Sequence, residues 1–166
     1  MKPAVIVLVG PMGVGKTTVG KRLASTLNLE FRDTDRIFAE RFGSIEEFFE
    51  LRGEESFRSL EEQIVSEAIT RPGVVATGGG AVLSQDTRDA LKHTHVIYLK
   101  TDGTHMANRL SQGKRPLIRN GLADWKRIYD ERRPIYEAIA NQTVDCSGQA
   151  IRETVNEIVE ALERNG

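Results

Sequence analysis

Six apolar residues in a row, Ala4-Val5-Ile6-Val7-Leu8-Val9, run straight into Gly10-Pro11-Met12-Gly13-Val14-Gly15-Lys16-Thr17-Thr18. No other stretch limits the fold so strongly. An unbroken apolar run marks a strand covered on both faces, as in a parallel sheet. Gly, four residues and then Gly-Lys-Thr is the phosphate-binding loop that joins such a strand to a helix. Its glycines let consecutive N–H groups turn inward toward phosphate oxygens, and the helix that follows adds the positive end of its dipole. In that pattern Gly13, Val14 and Gly15 cradle the phosphates, Lys16 reaches the β- and γ-phosphates, and the Thr17 hydroxyl takes a position on Mg²⁺, with Thr18 beside it in the first turn. A glycine-rich turn without a ligand is the alternative. The context argues against it, because the helical stripe Val19, Leu23, Leu27 begins where the loop ends.

The remaining chain continues the alternation of strand and helix. Short apolar segments at 29–32, 74–77, 96–99 and 143–146 read as further strands. The helices between them run from about Lys16 to Asn28, from Ser84 to Lys92, around Thr104 to Leu110, and from Ile151 onward on the stripe Val155, Ile158, Val159, Leu162. Ser44-Ile45-Glu46-Glu47 is a capping box opening a helix that Gly53 stops, and a longer helix with Phe57, Leu60, Ile64 and Ala68 follows without a strand between. A helix from about Ala123 to Ala140 is expected to break or kink at Pro134. The pattern predicts an α/β three-layer sandwich, a five-stranded parallel sheet flanked by helices, with a helical insertion at about 33–60 and a hinged, cation-rich segment at about 111–121. At 166 residues the whole chain, 1–166, is one domain by length.

Composition narrows the function by exclusion. A net charge of -1 with both signs interspersed gives no basic footprint for nucleic acid. The first apolar run is too short to cross a membrane and leads directly into the loop, so neither an anchor nor a signal peptide is expected. One cysteine, Cys146, has no partner for a disulfide, and His93, His95 and His105 lie outside any zinc spacing. A buried thiol and a cytoplasmic setting are the expectation.

In parallel α/β sheets ligands bind beyond the carboxyl ends of the strands. That rule gathers the phosphate loop, Asp33 and Asp35 after the second strand, and Gly78-Gly79-Gly80 after the third. Either aspartate is a candidate helix cap. As site residues they suit a division of labour, with Asp33 near the metal and Asp35 on an acceptor hydroxyl. The three glycines allow backbone N–H groups to approach a small polar ligand. Arg132 lies on the inward stripe of Ile128, Tyr129, Ile135, Tyr136 and Ile139, where it needs an anion, either a ligand carboxylate or an internal salt bridge. Arg133 falls on the charged face with Lys126, Asp130 and Glu137 and reads as solvated. Arg58 precedes Glu61 and Glu62 by three and four residues, so spacing leaves it open between a helix ion pair and a site role. Arg115 and Arg119 sit in the hinged segment, where they serve either solubility alone or, the more specific reading, a lid that brings cations over a triphosphate and excludes water.

Six segments together resemble the shikimate kinases: GPMGVGKTT at 10–18, FRDTD at 31–35, GEESFRSLEE at 53–62, TGGGAV at 77–82, KRPLI at 114–118 and ERRPIYEAIA at 131–140. The resemblance implies ATP-dependent phosphorylation of the 3-hydroxyl of shikimate, with one Mg²⁺ per subunit and a monomeric chain. It assigns Asp35 to the shikimate hydroxyls, Arg58, Gly78, Gly79, Gly80 and Arg132 to the substrate, and Thr17 with Asp33 to the metal. Arg115 falls on the lid arginine at the ATP phosphates, Arg109 on an arginine packing against the base, and Gln149 near the adenine. A guanine-reading Asn-Lys-x-Asp segment, which a GTP-driven switch requires, is missing from the sequence.

Overall fold

A computed structural model of the chain describes residues 3–110 and 120–165. The opening apolar run becomes β1 (Val5–Val9), and the phosphate loop delivers the chain into α1 (Lys16–Leu27). Next come β2 (Phe31–Asp33), α2 (Thr34–Phe42) and α3 (Ile45–Ala68). After them follow β3 (Gly73–Ala76), a single 3-10 turn (Ala81–Leu83), α4 (Gln85–Leu91) and β4 (His95–Lys100). The chain closes with α5 (Met106–Leu110), α6 (Leu122–Ile139), β5 (Gln142–Asp145) and α7 (Ile151–Asn165).

All strand pairs are parallel, in the order β2-β3-β1-β4-β5. β1 is central, and alternation along it splits the core in two. Ile6 and Leu8 pack with Val19, Leu23, Ile158 and Leu162 of α1 and α7. Val7 and Val9 face the opposite layer, with Val65 of α3 and Trp125, Ile128, Tyr129 and Tyr136 of α6. Burial of both faces is what a strand with no polar residue demands. Each fully buried Ile or Leu contributes about 1.5–3 kcal/mol, so this strand anchors the whole sheet.

Two serine caps act as the sequence predicts. Ser44 Oγ accepts from the Glu47 N–H at 3.3 Å, and Ser84 Oγ accepts from the Thr87 N–H at 3.1 Å. Gly53 has φ 82° and ψ 170°, a conformation outside the helix, so α3 is two helical pieces meeting at a bend. Phe38 of α2 and Phe57 and Ile64 of α3 form a small third core, with Phe38 and Phe57 ring centroids 4.9 Å apart. The helical insertion thus has its own apolar support.

Two expectations are decided by the structure. Of the break or kink expected at Pro134 there is no break, since α6 runs on through it. Proline forfeits one backbone bond and crowds the preceding turn. Here the residues flanking it hold the helix in place: Tyr136 is stacked on Tyr98 with centroids 5.3 Å apart, and Ile135 packs against the core. Arg133 is half-buried rather than solvated, its guanidinium 4.8 Å from the Tyr129 ring centroid and paired with Asp130 at 2.8 Å.

Candidate active site

The phosphate loop supplies the first wall. Gly10, Gly13 and Gly15 have φ of 148°, 77° and 107°, values that a side chain resists. At Gly10 the point is sharpest, because a Cβ there would sit 2.6 Å from the Leu99 carbonyl oxygen. Lys16 is buried, and its Nζ donates to the Gly10 carbonyl at 2.6 Å and the Pro11 carbonyl at 2.9 Å. The ammonium is therefore folded across the mouth of the loop. Trp125 of α6 braces the loop from behind, its Nε1 donating to the Met12 carbonyl at 2.8 Å. Arg109 Nη1 donates to the Gly13 carbonyl at 2.7 Å, which sets this exposed side chain on the outer rim of the loop.

Asp33 does two jobs at the end of β2. One carboxylate oxygen caps α2 by accepting from the Asp35 and Arg36 N–H groups, at 3.0 and 3.3 Å. The other accepts from the Thr17 hydroxyl at 2.6 Å. The cap fixes the carboxylate, and the fixed carboxylate aims the hydroxyl. Two hard oxygen donors side by side at the loop exit suit Mg²⁺, which uses one or two protein oxygens and takes the rest from phosphates and water. Among the described residues no group of three or more His, Cys, Asp or Glu side chains could hold a metal. The fit is to an ion shared with a nucleotide.

The acceptor wall is made of charged side chains laid against the three glycines. A Cβ on Gly78 would lie 2.7 Å from an Asp35 carboxylate oxygen and 2.8 Å from one of Glu61. On Gly80 it would collide with the Arg58 guanidinium. On Gly79 it would touch Arg132 Nη1 and the Met12 N–H, each at 3.5 Å. Two carboxylates and two guanidiniums thus lie around the triplet, closest at Gly78 and Gly80. Gly78 N donates to the Thr34 hydroxyl at 3.3 Å, whereas the N–H groups of Gly79 and Gly80 have no acceptor among the described residues. Asp35, Gly79, Arg58 and Arg132 thus meet beside the phosphate loop.

The two arginines differ in their partners. Arg58 donates to Glu61 at 2.8 Å and pairs with Glu54 at 3.3 Å. Spacing allowed this pair, but Glu61 is 5% exposed, so the contact belongs to the interior wall and not to a helix surface. Burial pushes the Glu61 carboxyl above its usual range, and the Arg58 charge opposes the shift. Arg132 is 7% exposed and makes no ion pair among the described residues. Burial lowers its proton affinity, with the Tyr136 hydroxyl partly compensating. A buried guanidinium without a carboxylate is costly unless a ligand completes it.

Sequence reasoning missed three residues of this site. Trp125 and Tyr136 lie on the inward stripe of α6, which periodicity does reveal, but their polar atoms find partners 113 and 57 residues away. Glu61 has only its spacing from Arg58 to mark it. Gln149 precedes α7 and accepts from the Thr154 hydroxyl at 3.1 Å. Arg115 and the rest of the expected lid at 111–119 lie outside the described residues.

Comparison with known proteins identifies the family. The family model described as shikimate kinase matches residues 12–163. The chain belongs to the shikimate kinase family. Shikimate kinase 1 of Escherichia coli strain K12 / DH10B is 40% identical over 167 residues, covering 96% of each chain. A shikimate kinase from Acinetobacter baumannii, solved in complex with shikimate, superposes with a TM-score of 0.93 at 36% identity, covering 98% of this chain and 94% of that one. The shikimate kinase of Aquifex aeolicus gives 0.84 at 32%, covering 97% of both. The α/β architecture is that of the shikimate kinases, and shikimate kinase activity, a step of the shikimate pathway using ATP, is the activity of this chain. No helix among the described residues is long and apolar enough to cross a membrane.

Proposed function

We propose that the site phosphorylates the 3-hydroxyl of shikimate with the following division of roles. Gly13, Val14, Gly15, Lys16, Thr17 and Thr18 receive the ATP phosphates. Arg132 and Arg58 grip the shikimate carboxylate, and the free N–H groups of Gly79 and Gly80 take further oxygens. Asp35 accepts a hydrogen bond from the hydroxyl that reacts. The observation that carries the reading is Arg132, buried without an ion pair among the described residues and set against Gly79, where a Cβ would lie 3.5 Å from both its Nη1 and the Met12 nitrogen. A small carboxylated ligand held there has its hydroxyls within reach of the phosphate loop.

Phosphoryl transfer asks mainly for alignment and charge stabilisation. Asp35 orients the hydroxyl, whose oxygen forms the new bond to the γ-phosphorus while the bond to the β,γ-bridging oxygen breaks. The hydroxyl proton passes to the Asp35 carboxylate, and the leaving group is ADP. Lys16 leaves its two loop carbonyls for the phosphates and stabilises the charge that develops on them. Thr17 and Asp33 would hold Mg²⁺, which when bound neutralises charge between the β- and γ-phosphates. Arg115, Arg109 and Gln149 enter this reading on the family resemblance: Arg115 at the phosphates, the other two at the adenine. A monomer in the cytoplasm completes it.

A coupled ADP-release assay with shikimate, gluconate and nucleoside monophosphates tests the acceptor. Shikimate alone is expected to accelerate ADP release, with the phosphate ester on its 3-oxygen by NMR and activity lost in EDTA. Release at the acceptor-independent rate with every compound overturns the reading.

A further inference from the structure

Tyr136 has no place in the roles just given, yet it touches two of them. It is 1% exposed, on the inward face of α6 one turn after Arg132. Its hydroxyl donates to the Gly79 carbonyl at 2.5 Å. The Arg132 guanidinium lies against the same glycine, its Nη1 3.5 Å from the place a Cβ on Gly79 would take. The ring is held independently, stacked on Tyr98 with centroids 5.3 Å apart and planes at 28°. Tyr98 is itself tied to Tyr129 through a hydrogen bond between their hydroxyls.

The peptide unit explains why this contact matters. A trans peptide is planar, so its carbonyl and the next N–H point in opposite directions. Fixing the Gly79 carbonyl fixes the Gly80 N–H, one of the two donors without an acceptor among the described residues. Glycine has the greatest backbone freedom of any residue, and three in a row would otherwise leave that donor free to turn. An acceptor group arriving at an unheld triplet would have to order it, which weakens binding.

We infer that Tyr136 is a positioning residue for the acceptor, its hydroxyl fixing the Gly79–Gly80 peptide against the Arg132 guanidinium before shikimate arrives. The inference rests on the reading of Arg132 as a partner of the substrate carboxylate. Tyr136 acts on the substrate only through these two groups. Its loss therefore falls on acceptor binding and spares the nucleotide.

The experiment uses steady-state kinetics on Tyr136→Phe, Tyr129→Phe, Arg132→Ala and the Tyr136→Phe/Arg132→Ala double variant, with thermal melting of each. Tyr136→Phe keeps the stacked ring and removes only the hydroxyl. It is expected to raise KM for shikimate roughly three- to tenfold, the scale of one hydrogen bond, while kcat and KM for ATP stay within about twofold. Tyr129→Phe removes a buried hydroxyl from the same cluster without touching Gly79 or Arg132, so it is expected to lower Tm and leave KM for shikimate unchanged. In the Arg132→Ala background the Tyr136→Phe effect is expected to shrink, because one of the two groups it acts through is gone.

An unchanged KM for shikimate in Tyr136→Phe, an equal rise in KM for ATP, or the same rise in Tyr129→Phe overturns the positioning role while Arg132 keeps its own. If Arg132→Ala itself leaves KM for shikimate unchanged, the carboxylate reading falls and the inference falls with it. The two failures are told apart by the Arg132→Ala arm alone.

Discussion

The two ends of the active site are built by different means. The proposed phosphate end is a single run of nine residues, shaped by backbone, through glycine φ angles and a helix N-terminus. The proposed acceptor end is put together from α2, α3, the glycine triplet and α6, and is lined by the side chains of Asp35, Glu61, Arg58 and Arg132. A backbone site needs few particular residues and serves any nucleotide triphosphate. A side-chain site can be tuned to one substrate, at the cost of burying charge.

That contrast can be broken by experiment. Asp35→Asn is expected to cut kcat by roughly 10²–10⁴-fold, the range for loss of a general base, with KM for ATP unchanged in steady-state assays. A parallel loss of ATP affinity would show that the two ends are not separable. Arg132→Ala is expected to raise KM for shikimate with a cost of about 1.5–3 kcal/mol, the value for a hydrogen bond to a charged group. That corresponds to roughly 10- to 150-fold.

Gly10→Ala probes the other end. It adds a Cβ 2.6 Å from the Leu99 carbonyl at a strained φ, so about 1–3 kcal/mol of stability should be lost in denaturant melts, with KM for ATP rising before KM for shikimate.

Two smaller effects sharpen the picture. Burial raises the folded-state Glu61 pKa above its unfolded value, so its contribution to stability is present at pH below about 4.3 and is lost as pH rises through the raised value. Glu61→Gln cannot titrate. The stability of the wild type relative to this variant should therefore fall as pH increases from about 4, read from urea midpoints. If the difference is flat with pH, the Arg58 pair offsets the burial in full. The smallest signal is spectroscopic. Trp125 is the only tryptophan and is bonded to the Met12 carbonyl, so ADP should change its emission more than shikimate does.

The same contrast governs how much was legible in the sequence. β1, the loop and α1 follow from local rules, because the residues that shape one another are neighbours. The serine caps and the bend at Gly53 were equally readable, for the same reason. Asp33 was narrowed to cap or metal neighbour; the cap is observed, and its other oxygen takes the Thr17 hydroxyl, the arrangement on which the proposed metal role rests. Arg58 could not be decided by periodicity, because the structure satisfies its helix pairing and also sets it against Gly80. Pro134 left break and kink both open, and only the tertiary packing of Ile135 and Tyr136 goes with the unbroken helix. Glu61 and Tyr136 were invisible as site residues because what they touch is set by the tertiary fold.

Arg32 shows how such long-range dependence constrains the chain's history. Its guanidinium, buried next to β2, donates to the carbonyls of Ala68, Arg71 and Pro72 at 3.0, 2.7 and 3.1 Å, and so plugs the end of α3. A Cβ on Gly73 would come within 2.7 Å of that guanidinium. Position 73 is thus held as glycine twice over, by this guanidinium and by a φ of 155° that side chains resist. Relatives that shorten the side chain at 32 remove only the first obstacle, so glycine at 73 should outlast arginine at 32.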